Sequence, residues 1–301
     1  MTFSRRPRLL TPTATNKDIS PYRNVWRSLA FEIGVLGAVC IALFVAFNYL
    51  GVNLPVNLRP AVNIAIALLP VGLWYLFSVL AETRVEEPRS RLITTFAVTA
   101  LIANGIGIPF LEDIIRADQW LPLASSSMRI IGYMLTYGVI QEVLKYTVVR
   151  YLTWPDLFRD RLDGVAYCVA SAFGYATVVN LHFASESAAT PDVVAFHTFN
   201  TLVGSIAASI IVGYALSETK FTRPTPFLLA ICVAIGAFLN GGLIPIRANL
   251  INARFSLFGG SPLYILGFAL TAGIIVALSM VMIFFFRTAE RKQREAEIRR
   301  D

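Results

Sequence analysis

VIQEVLKY, residues 139–146, sets Gln141, Glu142 and Lys145 inside a run otherwise fit to cross a membrane. Ionisable side chains at that depth are costly, so they face a bundle interior or water, and they mark functional sites. The rest of the chain says which solvent to expect. Of 301 residues, 56% are hydrophobic and 15% charged, against about 25% charged in a soluble domain. Mean hydropathy is +0.63. The charges lie between and beyond apolar runs of about 20 residues, the length that spans ~30 Å of hydrocarbon. The chain is therefore an all-α, polytopic membrane protein, because lipid offers no partner to a backbone that is not helical or closed into a barrel.

Eight spans are expected, over 29–50, 61–81, 92–111, 128–150, 163–183, 193–217, 225–244 and 262–286. They form one membrane domain over 29–286, between a basic, poorly ordered tail (1–28) and a charged tail (287–301). No cleavable signal peptide is evident. Of the 26 Lys and Arg residues, twenty lie in the tails and in the connections of one side. Arg59, Arg116, Arg129, Arg247 and Arg254 lie on the other. The positive-inside rule then puts both termini in the cytoplasm. The same bias explains the net charge of +7 through anionic lipid at the cytoplasmic face, with no nucleic acid required. The segment 246–258 reads as an amphipathic surface helix. Cys40, Cys168 and Cys232 lack CxxC spacing and read as small packing residues. Gly204 and Ala208, four apart, read as a close-packing pair.

Few polar groups lie within the spans. Glu142 and Lys145 are three apart and share a helix face. Span five begins at Asp163 and carries Asn180 and His182; span six carries His197 and Asn200. Two readings of the first pair stand open: a neutralised ion pair that holds helices together, or a carboxylate oriented by a cation in a wet cavity. Glu142, His182 and His197 are the candidate metal ligands. By rise per residue the histidines match in depth and Glu142 lies deeper, so the trio needs a tilted or broken helix.

Five stretches in order resemble the PrsW-type intramembrane proteases, relatives of the type II CAAX prenyl endopeptidases. They are ALLPVGLWY (67–75), RVEEPRSRLITTF (84–96), VIQEVLKY (139–146), RLDGVAYCVASAFGYATVVN (161–180) and HTFNTLVGSIAASIIVGYAL (197–216), a core of 61–217. The resemblance implies metal-dependent hydrolysis of peptide bonds in membrane proteins, with zinc the candidate metal and a bacterial cytoplasmic membrane the expected setting. It matches Glu142 and Lys145 to the motif Glu-Glu-x-x-Lys, and Asp163, Gly164, Asn180 and His197 to later motif positions. Glu142, Lys145 and His197 are thus the implied catalytic residues, with Gln141, Asp163, Asn180 and Asn200 in support. Gln141 and Val179 stand where the family carries glutamates. A carboxylate can take a proton from water and bind a hard cation; an amide cannot act as that base. His182, one turn beyond Val179, is the expected replacement ligand. Three functions follow: a peptidase with a rearranged site, an inactive relative that binds membrane peptides, or a small ion- or proton-coupled transporter.

Overall fold

The computed structural model describes residues 21–80, 91–159, 161–186, 188–222, 227–252 and 264–298. Eight long helices account for most of them: α1 (Pro21–Asn48), α2 (Arg59–Val79), α3 (Leu92–Ile115), α4 (126–152), α5 (Arg161–Glu186), α6 (Pro191–Phe221), α7 (228–252) and α8 (Tyr264–Ile298). There is no strand among the described residues.

Seven of these helices are long and apolar enough to cross a membrane. The eighth, α4, is long enough, but Arg129, Glu142, Lys145 and Arg150 make it less apolar. It is the helix that the quoted stretch belongs to. The first tail shortens, since α1 is already helical from Pro21; residues 1–20 lie outside the described residues. So do 81–90, 299–301 and the last part of the amphipathic segment. The first part of that segment continues α7 as Leu243–Asn252.

α5 and α6 form the centre. Their apolar windows are 78% and 83% buried, against 17% for α8. Small residues allow this. A Cβ on Gly164 would come 2.5 Å from the carbonyl oxygen of Gly213, and one on Gly213 would come 2.6 Å from that of Gly164. Only glycine lets two backbones meet so closely. Gly204, expected to serve this role, has nothing nearer than 3.6 Å to such a Cβ; the close approach lies farther along α6. The three cysteines are free and buried.

Several helices contain a π turn, where one residue is accommodated beyond the α pitch. In α4 it covers Met134–Gly138, and in α7 it covers Phe238–Gly242. Pro245 contributes to the second, since it has no N–H for the carbonyl of Gly241. The two π turns touch: a Cβ on Gly138 would lie 2.1 Å from Ala237 O, and one on Gly241 would lie 2.3 Å from Tyr133 O. This contact brings the polar face of α4 against α7.

Candidate functional site

Glu142 and Lys145 stand one turn apart on α4, just past its π turn. Nζ of Lys145 lies 2.6 Å from Oε1 of Glu142, and the side chains are 3% and 1% exposed. The ammonium also donates to Oγ of Ser205 at 2.9 Å and to Oγ of Ser209 at 3.0 Å, with the carbonyl of Ser205 at 3.3 Å. Ser205 and Ser209 are four apart, so α6 presents them on one face. A buried ion pair is tolerable only when further hydrogen bonds compensate its lost hydration. The two serines supply them for the cation.

Asn240, within the π turn of α7, supplies them for the acid. Its Nδ2 donates to Oε1 of Glu142 at 3.0 Å and to Oε1 of Gln141 at 2.7 Å. Asn240 and Gln141 are both buried. One oxygen of Glu142 thus receives an ammonium and an amide N–H, while Gln141 spends its carbonyl on the same amide. Behind the pair, Ser171 of α5 donates to the backbone carbonyl of Lys145 at 3.4 Å and meets Thr99 of α3 at 3.0 Å.

The histidines stand elsewhere. His182 is 31% exposed, with Nε2 2.8 Å from Glu112 and 3.0 Å from Glu186. It ties the end of α3 to α5. His197 stacks flat on Phe183, with ring centroids 3.8 Å apart, and its buried Nδ1 has no partner. It precedes Ser205 by eight residues, about 12 Å along α6. The structure therefore brings Gln141, Glu142 and Lys145 together and leaves His182 and His197 apart from them. Among the described residues no three His, Cys, Asp or Glu side chains are grouped to hold a metal ion. Among the described residues the set Glu142, His182 and His197 is not grouped: Glu142 pairs with Lys145, His182 with Glu112 and Glu186, and His197 stacks on Phe183.

The supporting residues divide in the same way. Asp163 accepts a hydrogen bond from the backbone N–H of Arg159 at 2.6 Å. It shapes the entry to α5 and lies far along that helix from Asn180. Asn180 is buried, and its Oδ1 has no partner; the same holds for Oδ1 of Asn200 and Oγ1 of Thr198. Asn240, Ser205 and Ser209 were missed from sequence. Their signal is weak but real: an asparagine within an apolar run, and two serines four apart on a neighbouring span.

The family model for PrsW family intramembrane metalloproteases matches residues 87–244, more than half of the chain. No curated protein and no solved structure matches it.

Proposed function

The chain belongs to the PrsW family of intramembrane metalloproteases, and from that membership we propose that it binds segments of other membrane proteins without hydrolysing them. It is an integral membrane protein by its apolar helices and its family. A bacterial cytoplasmic membrane, with both termini inside and anionic lipid against the basic tails, completes the reading.

One observation carries the proposal: Oε1 of Glu142 already receives Nζ of Lys145 and Nδ2 of Asn240. That oxygen is engaged by two donors, so one side of the carboxylate is closed to water or a cation. A metalloprotease family leads one to expect a metal, and zinc is the candidate. As placed, the side chains form no ligand set: Glu142, Gln141 and His182 are bonded to neighbours, and among the described residues no three His, Cys, Asp or Glu side chains are grouped. The resemblance adds that Gln141 and Val179 occupy glutamate positions. General-base assistance is typically worth 10²–10⁴-fold, so its loss removes most of such an activity.

Binding has its own support. Oδ1 of Asn180, Nδ1 of His197, Oγ1 of Thr198 and Oδ1 of Asn200 are buried with no partner. Unmet polar atoms in hydrocarbon are costly. An unwound stretch of a transmembrane segment carries backbone N–H groups that would satisfy them once the helices that bury them part to admit it. Membership of a protease family favours this over the ion-coupled transporter.

The test is a single-span reporter peptide carrying a photo-crosslinker, incubated with the full chain in bilayers. The proposal expects cross-links and an intact peptide, with no cleavage to lose in Glu142→Gln. Cleavage products that Glu142→Gln abolishes would show an active peptidase instead.

A further inference from the structure

Gly204 lies in the middle of α6, where alanine is the better helix former. Nothing steric keeps alanine out, since a Cβ there would have no neighbour nearer than 3.6 Å. What surrounds that point is polar. Nη1 of Arg247 lies 3.6 Å from it, Oδ1 of Asn240 3.7 Å and the carbonyl oxygen of Leu239 3.8 Å. All three groups belong to α7, and they converge on a bare patch of α6. A small cavity between α6, α7 and α8, about the size of one water molecule, is lined there by Gly204, Leu239 and Arg247.

The donors and acceptors around that point call for one kind of occupant. The Arg247 side chain is only 9% exposed. Its Nη1 carries two hydrogens, and one of them goes to the carbonyl of Asn200 at 3.0 Å. The other still needs an acceptor, because a buried donor left unmet is costly. Asn240 spends both hydrogens of Nδ2 on Gln141 and Glu142. Its other end, Oδ1, can only accept, and so can the carbonyl of Leu239. Two acceptors facing one point need a donor between them, while the guanidinium needs an acceptor. Water is both, and three partners are the usual number for a buried one. A monatomic anion would suit the guanidinium but would be repelled by the two oxygens.

We propose that one bound water occupies the hollow beside Gly204, accepting from Nη1 of Arg247 and donating to Oδ1 of Asn240 and to the carbonyl of Leu239. The water fixes which way the Asn240 amide faces. A turned amide would set Oδ1 against the carboxylate of Glu142 and carry its hydrogens to the guanidinium side. Arg247, which makes no direct contact with the Glu142 pair, is thereby coupled to it through the water and Asn240.

Thermal unfolding of the full chain in detergent tests it through the sign of two substitutions. Gly204→Ala fills the hollow with a methyl group and should lower the melting temperature by about 2–4 °C, although alanine favours the helix. Gly204→Ser supplies a hydroxyl where the water sits and should recover much of that loss, although serine is larger than alanine and a poorer helix former. In an Asn240→Leu background the effect of Gly204→Ala should shrink, because the acceptor that the water serves is gone. A density map of the parent fine enough to show solvent should hold one peak within about 3.2 Å of both Nη1 of Arg247 and Oδ1 of Asn240. A melting temperature for Gly204→Ala equal to or above the parent's would overturn the proposal, as would a serine variant less stable than the alanine one. Stability that rises with chloride at constant ionic strength in the parent, but not in Arg247→Met, would place an anion there and overturn it too.

Discussion

Nζ of Lys145 lies 2.6 Å from Oε1 of Glu142 on the same helix, and neither side chain is more than 3% exposed. Removing one partner leaves a buried charge uncompensated, which costs about 3–5 kcal/mol in a buried pair. Lys145→Ala should therefore lower the melting temperature in detergent strongly. The double variant Glu142→Gln with Lys145→Met should lose less than Lys145→Ala alone, because no lone charge remains. An unchanged melting temperature for Lys145→Ala would mean that Glu142 is hydrated and the pair is not a closed one.

Asn240 couples α7 to α4 through two acceptors. Asn240→Leu should cost about 1–3 kcal/mol, the penalty of leaving buried acceptors unmet. Adding Gln141→Met should recover part of that loss, since one of the orphaned carbonyls is then gone. Thermal unfolding of the two variants measures the coupling. Purely additive losses would argue against the bond between Asn240 and Gln141.

The crossing of the two π turns depends on bare backbone. Gly138→Ala would drive a methyl against the carbonyl of Ala237, which lies 2.1 Å from the site of that carbon. The backbones must separate, at a cost of about 1–3 kcal/mol. Gly72→Ala, with nothing within 4 Å of its Cβ, is the control and should be close to neutral. Equal melting temperatures for the two variants would contradict the close approach of α4 and α7.

Much of this was legible before any coordinates, for reasons that can be named. Helix count followed from runs of apolar residues, because only a helix satisfies its own backbone in lipid. α4 forms as a helix where a span was expected, but its charges keep it out of the seven helices apolar enough to cross. The pairing of Glu142 with Lys145 followed from their spacing, a local property of one helix. What failed to show was whatever depends on two helices meeting. His182 finds Glu112 seventy residues away, and nothing in the local pattern of either residue announces it. Asn240 sits among glycines in a run read as plain span, and its role appears only when α7 meets α4. π turns shift backbone hydrogen bonds without a firm residue signature, so the proximity of Gly138 to Ala237 was hidden. Asp163 stood beside Gly164 in a motif that suggested a site, yet its carboxylate serves the backbone of Arg159.

Introducing acids at Gln141 and Val179 probes the register of the resemblance. Gln141→Glu together with Val179→Glu should raise affinity for zinc over the parent, since two carboxylates then join Glu142 near α4 and α5. Titration of the purified variant with zinc reads this directly. No gain in bound metal would show that Gln141 and Val179 do not stand at glutamate positions.

The central claim is that the acid of α4 is held by Lys145 and Asn240 in place of a metal. Metal content of the purified full chain, measured after zinc loading and removal of free ion, tests it most directly. The account predicts no stoichiometric metal in the parent and the same result for Glu142→Gln. One tightly held ion per chain, lost in Glu142→Gln, would contradict it.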